Sequence, residues 1–180
     1  MIETLFRHLL SLFSAKSGRL AALAVALCLT AGASEAATVV ALGASNTYGK
    51  GVARNEAYPA QLQAILKARG INARVVNAGI NGDTTGGMLR RLNGVTPKGT
   101  DVVILQPGGN DARRGEGQSR EANIADIKSK LAARGIKVIV MENSALRGLP
   151  HQPDGQHLTP EGYRMLAQSF ASDVARALGQ

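Results

Sequence analysis

Four short stretches of the 180-residue chain gather residue types that can do chemistry. Ser45 stands in the glycine-flanked segment Gly43-Ala-Ser45-Asn-Thr-Tyr-Gly49, where a hydroxyl can be exposed as the next element begins. A serine is a weak nucleophile until a base lies within hydrogen-bonding reach. His157 is a candidate base, and Asp154, three residues earlier, can lie on the same side of a turn and accept a hydrogen bond from the imidazole, which would fix its tautomer and stabilise its charged form. Acyl transfer also needs donors aimed at a developing oxyanion. Gly82 can offer an unobstructed backbone N–H, Asn110 a side-chain N–H, and Ser45 its own N–H. Each residue alone has a plainer reading: Ser45 as a turn former, His157 as a polar cap near a helix start, Gly82 as a loop glycine, Asn110-Asp111 as a turn. Their joint placement favours a triad in the order Ser, Asp, His.

Such residues need a scaffold. Short apolar runs at 38–42, 73–76, 102–105 and 138–141 alternate with stretches of helical periodicity, the pattern of parallel strands joined by crossover helices. Residues 58–68 carry Leu62, Ile65 and Leu66 and stop at Gly70, while 122–133 carry Ile124, Ile127 and Leu131 and stop at Gly135. A shorter helix is expected over 85–92, and a last one opens at Thr159-Pro160, a cap residue with proline at the first helical position, and runs to about 178. The expected architecture is a three-layer α/β/α sandwich on a flavodoxin-like parallel sheet of four or five strands. In open parallel sheets ligands sit beyond the carboxyl ends of the strands. All four chemistry-bearing stretches fall there, so four Gly-, Asn- and Ser-rich loops at one edge describe an active site better than four turns.

Composition narrows the function further. At 44% hydrophobic and 19% charged residues the chain can bury a core. The single cysteine, Cys28, can form neither an intramolecular disulfide nor a thiolate metal site. With no Trp, three Tyr and three Phe, the chain lacks the stacking platforms of single-strand binders. The net charge of +8 is scattered, its longest runs past the N-terminus being the pairs Arg90-Arg91 and Arg113-Arg114, so a nucleic-acid stripe is not expected. Peripheral attraction to an anionic membrane stays open. A phosphate-binding loop at Gly43 fails on spacing, because five residues in place of four separate Gly43 from Gly49-Lys50, and Gly51 stands where Ser or Thr is required.

Residues 1–36 read as an export signal: Arg7, Lys16 and Arg19 precede an apolar run from Leu20 to Leu29, followed by small residues up to Ala37. Retention as an uncleaved anchor is the alternative. The expected location is therefore periplasmic or secreted, with residues 37–180 as one domain.

The blocks Gly43-Ala-Ser45-Asn-Thr, Asn81-Gly82-Asp-Thr, Gly108-Gly-Asn110-Asp111 and Asp154-Gly-Gln-His157-Leu resemble the SGNH (GDSL-type) hydrolase superfamily in type, order and spacing. The likeness covers about residues 38–178 and is nearest to the periplasmic thioesterase/lysophospholipase and arylesterase branch. It implies a nucleophile at Ser45, an oxyanion hole from Ser45, Gly82 and Asn110, and a base at His157 oriented by Asp154. It implies ping-pong hydrolysis through an acyl-serine, with no metal or cofactor and with a small-molecule or lipid ester as substrate. The first block departs from the family name, with Ala44 for an acid and Asn46 for Leu. Only 12 residues separate Met141 from Asp154, where the family usually inserts a helix and a fifth strand.

Three further expectations complete the reading. Thr47, Tyr48 and Met88 are candidates to line a substrate pocket, packing being their plainer role. Arg113 and Arg114 could meet an anionic headgroup, and His151 is read as a solvated loop histidine. A sheet edge left open after residue 141 allows a homodimer. Two other functions compete with a lipid- or aryl-directed esterase: a carbohydrate O-acetylesterase of the cell envelope, and a binding module that has lost activity.

Overall fold

The computed structural model describes residues 35–180, so residues 1–34 of the expected export signal, Cys28 among them, lie outside the described residues. The strands are β1 (Ala37–Gly43), β2 (Ala73–Gly79), β3 (Thr100–Gln106) and β4 (Lys137–Val140). The helices are α1 (Ser45–Tyr48), α2 (Tyr58–Ala68), α3 (Thr85–Val95), α4 (Asn110–Arg113), α5 (Arg120–Ala132) and α6 (Pro160–Leu178). All strand pairs are parallel, in the order β2-β1-β3-β4.

Each strand alternates its side chains between two apolar layers, and this is why the strands read as unbroken hydrophobic runs. On one face Val39, Ala41, Val102 and Ile104 pack against Tyr58, Leu62 and Leu66 of α2 and Leu166, Phe170 and Val174 of α6. On the other, Val40, Leu42, Val103 and Leu105 meet Met88 and Leu92 of α3 and Ile127 and Leu131 of α5. Burying each of the larger side chains stabilises the fold by roughly 1.5–3 kcal/mol. The expected three-layer sandwich is the one observed, with four strands among the described residues. Met88 is buried inside the second layer, the packing role that was its plainer reading, and not in a substrate pocket.

Helix ends follow the capping chemistry written in the sequence. Thr159 accepts from the Gly162 N–H at 3.1 Å and Pro160 opens α6, while Thr84 accepts from Gly87 N–H at 3.2 Å at the start of α3. The chain leaves β1 for β2 on one side and later returns as β3 on the other. The carboxyl ends of β1 and β3 therefore lie side by side at the point where the strand order reverses, the place where such sheets hold ligands.

Where the resemblance implied a helix and a fifth strand, this chain passes from β4 through a 3-10 turn at Asn143–Leu146 into a loop that holds itself. His151 and Leu158 form an antiparallel bridge, Gln152 N–H donates to His157 C=O at 2.7 Å, and Thr159 N–H donates to Pro150 C=O at 3.0 Å. The Gln152 side chain ties the loop across the site, donating to Lys50 C=O and Leu158 C=O at 2.8 Å each. Gly162 lets this loop close on α6, because a Cβ there would lie 2.3 Å from the Pro150 carbonyl oxygen.

Candidate active site

Ser45 is the first residue of the four-residue helix α1, one step beyond the Ala44 bend that ends β1. Gln106, the polar residue that terminates β3, holds this turn: its Oε1 accepts from Ala44 N–H at 3.0 Å and from the Thr47 hydroxyl at 3.1 Å, both buried. The side chain at position 44 is thus not needed for the task, which accounts for an alanine there. Asn46 is used as well. Its Nδ2 donates to Gln156 C=O at 3.1 Å, and its Oδ1 accepts from the Tyr163 hydroxyl at 3.0 Å. Burial pushes the Tyr163 phenol up to about 12, so it remains a neutral donor.

Ser45 Oγ lies 2.9 Å from His157 Nε2, and His157 Nδ1 lies 2.5 Å from Asp154 Oδ2. Asp154 Oδ1 accepts from the backbone N–H groups of Gln156 at 2.9 Å and His157 at 3.0 Å. The His157 side-chain hydrogen bond, followed by these two N–H groups, holds the Asp154 carboxyl well below the usual carboxylate range. An ionised carboxylate can only accept, so the imidazole proton sits on Nδ1 and the Nε2 lone pair faces the serine hydroxyl. His157 itself is only 6% exposed, whereas Asp154 meets solvent from the far side of the turn.

Asn110 begins α4 after the Gly108-Gly109 turn. Its Nδ2 donates to Asp83 C=O at 2.8 Å, and its Oδ1 accepts from Arg113 at 2.8 Å. One Nδ2 hydrogen thus remains without an acceptor among the described residues, as do the N–H groups of Ser45 and Gly82. Gly82 takes φ +73°, the left-handed conformation that suits glycine. The loop that carries it is braced by Arg91, which donates to Asp83 Oδ2 at 2.8 Å and to Gly43 C=O at 3.2 Å. Neighbouring Asp111 is fully buried; its carboxylate accepts from the Thr85 N–H and hydroxyl, pinning α4 to the start of α3.

A pocket of about 170 Å³ opens at Ser45. Its walls include His157, Asn110, Gln106, Arg113, Asn143 and Gln156, with Ala44 and Leu146 as its apolar members. Gly82 is not among its walls. Thr47 and Tyr48 do not line it either, which corrects their assignment as substrate contacts. Thr47 is fully buried with its hydroxyl spent on Gln106, and Tyr48 carries the Arg54 guanidinium 4.4 Å above its ring. His151 is exposed and bonded through Nδ1 to Leu149 C=O at 2.7 Å, apart from the pocket. Sequence reasoning missed Gln106, Asn46, Asp83 and Gln156 as supports. A polar residue closing the apolar run 102–105 was the one available signal, for Gln106.

The profile of the GDSL-like Lipase/Acylhydrolase family matches residues 41–177. The chain is 34% identical over 119 residues to "Esterase TesA" of Pseudomonas aeruginosa, a match covering 65% of this chain and 59% of that protein. It is 30% identical over 126 residues to an "Arylesterase" of Vibrio mimicus, covering 69% of this chain and 63% of that one. It thus spans about three fifths of the length of these curated relatives. In fold it resembles the psychrotrophic esterase EstA of Pseudoalteromonas sp., with a TM-score of 0.71 over 79% of this chain and 99% of that one, at 19% identity. The four-block pattern, the parallel sheet and these matches agree, and the chain belongs to the GDSL-like lipase/acylhydrolase family, whose members hydrolyse ester bonds.

Proposed function

We propose that the protein is an exported serine esterase that hydrolyses carboxylic esters or thioesters, of the acyl, aryl or lysophospholipid type, through an acyl-serine intermediate. The observation that carries this reading is the unbroken chain from Ser45 Oγ to His157 Nε2 at 2.9 Å and from His157 Nδ1 to Asp154 at 2.5 Å. The Ser45 oxygen attacks the ester carbonyl carbon while His157 Nε2 takes the hydroxyl proton. Negative charge moves onto the carbonyl oxygen, where the N–H groups of Ser45 and Gly82 and the unspent Asn110 Nδ2 hydrogen receive it. Collapse of this intermediate breaks the bond to the alcohol or thiol, which leaves with the proton from His157. Water then attacks the acyl-serine, His157 takes its proton and returns it to Ser45, and the carboxylic acid departs. The sequence of steps uses no metal or cofactor.

The size and polarity of the pocket favour a second reading within the same chemistry. A space of about 170 Å³ with mostly polar walls suits a short acyl group better than a fatty acyl chain. That supports a carbohydrate O-acetylesterase of the envelope.

Hydrolysis of p-nitrophenyl esters from acetate to palmitate, beside the Ser45→Ala variant, tests both. Serine-dependent hydrolysis is the expected result, and a preference for acetate would favour the acetylesterase. A folded wild type that hydrolyses none of the esters would favour a binding module. Export is tested by the mass of the protein recovered from a periplasmic fraction, where an intact N-terminus would reject cleavage.

A further inference from the structure

Arg113 ends α4, and its exposed side chain folds back along the pocket wall. Its two terminal nitrogens donate in different directions, one to Asn110 Oδ1 at 2.8 Å and the other to Gln156 Oε1 at 2.9 Å. No carboxylate pairs with it among the described residues, so the guanidinium serves these two amides and not a surface ion pair. A guanidinium has donors only, and a backbone carbonyl has lone pairs only. The Asn110 amide lies between one of each: its oxygen faces Arg113 and its nitrogen faces Asp83 C=O. Turned over, it would set NH₂ against guanidinium and oxygen against oxygen and lose both bonds.

We propose that Arg113 is a positioning residue of the esterase reaction: it locks the Asn110 amide with Nδ2–H free for the oxyanion, and ties that donor through Gln156 to the turn holding Asp154 and His157. The inference rests on the esterase reading of this site and deepens it. The second arm of the clamp reaches the catalytic turn through backbone, because Gln156 N–H donates to Asp154 Oδ1 at 2.9 Å and Gln156 C=O accepts from Asn46 at 3.1 Å. Donation from a cation also polarises the Asn110 amide and strengthens its remaining N–H as a donor. The planar fork of arginine carries well-separated donors in fixed directions, whereas the single ammonium of lysine cannot hold both amides in the same geometry. The three-residue spacing from Asn110 to Arg113 places both on one turn of α4, so the clamp is local to the sequence.

The test is steady-state hydrolysis of p-nitrophenyl acetate by the full chain and its Arg113→Ala, Arg113→Lys, Asn110→Ala and Asn110→Ala/Arg113→Ala variants, each with a thermal melt. A donor acting through Asn110 should cost less than loss of Asn110 itself, so Arg113→Ala should lower kcat about tenfold with KM changed by less than about twofold. Arg113→Lys should restore less than half of the loss. The double variant should match Asn110→Ala within about twofold, because the oxyanion donor that the arginine positions is already gone. The proposal is overturned by a kcat for Arg113→Ala within about twofold of wild type, by a loss confined to KM, or by losses that multiply in the double variant. A loss that tracks a fallen melting temperature and is recovered by Arg113→Lys would likewise overturn it. Wild-type hydrolysis that survives Ser45→Ala would instead overturn the esterase reading and this inference together.

Discussion

Asp154 and His157 are joined twice across a three-residue turn: Asp154 Oδ1 accepts the His157 backbone N–H at 3.0 Å while Oδ2 lies 2.5 Å from His157 Nδ1. The backbone bond fixes where the imidazole starts, and the side-chain bond fixes how it faces. One carboxylate thereby orients the ring and selects the tautomer that presents Nε2 to Ser45. Because the turn makes these bonds locally, they do not depend on the length of the segment between β4 and this loop.

Asp154→Asn should therefore be far more damaging than its exposed position suggests. An amide can present NH₂ to Nδ1 and favour the tautomer whose Nε2–H faces Ser45. The expected loss in kcat is about 10³-fold or more, with little change in fold by circular dichroism. A loss below about tenfold would remove Asp154 from the triad.

The pH dependence follows from the same pair. The Asp154 carboxyl is held below its ordinary range, so its contribution is present above the unfolded carboxylate pKa and is lost only as pH falls through the lower folded value. Protonation of Asp154 should therefore make no step in kcat/KM across the ordinary carboxylate range. A step in that range that is present in the wild type and absent from Asp154→Asn would contradict the lowered carboxyl.

Asn110→Ala removes the side-chain donor proposed for the oxyanion. Turnover should fall roughly 100- to 1000-fold with KM little altered, and a loss below threefold would reject the oxyanion role. Because Asn110 also closes a bond to Asp83 C=O, the melt of the variant should be recorded beside the kinetics.

Gln106→Leu would strip the Gln106 acceptor from the buried Ala44 N–H and Thr47 hydroxyl. Leaving buried donors unmet should lower stability by about 1–3 kcal/mol in urea unfolding. Activity should fall as well, because the same two bonds hold the turn that presents Ser45. Full activity in a destabilised variant would separate this turn from catalysis.

Gly162→Ala places a methyl group 2.3 Å from the Pro150 carbonyl oxygen and 3.0 Å from Leu158 Cβ. The loop must shift, and with it the His157 ring. The expected outcome is a lowered kcat together with faster proteolysis between β4 and α6; wild-type kinetics would show that the loop does not depend on this close approach.

Elements were legible where one signal dominated. Continuous apolar runs gave β1 and β3, and the Thr159-Pro160 pair gave the start of α6. The strands extend one to three residues beyond those runs at several ends because Gly43, Asn77, Gly79 and Gln106 are paired into the sheet by their neighbours, which hydropathy does not register. Ser45, Asp154 and His157 were readable because short motifs carry them. Thr47 and Met88 stayed open between pocket and core because a residue beside a catalytic block can point either way, and only the packed structure, which buries both, decides. Gln106 and Gln156 act through bonds spanning tens of residues, from Gln106 to Thr47 and from Gln156 to Arg113, and spacing along the chain carries no trace of these.

The most direct test of the central claim is to look for the acyl-serine itself. The protein is quenched in acid during turnover of p-nitrophenyl acetate, digested and weighed by mass spectrometry. The account predicts one acetyl group on the peptide containing Ser45, absent from Ser45→Ala, which should also lose nearly all hydrolysis. Steady hydrolysis with no acetyl group at Ser45, or undiminished in Ser45→Ala, would contradict it.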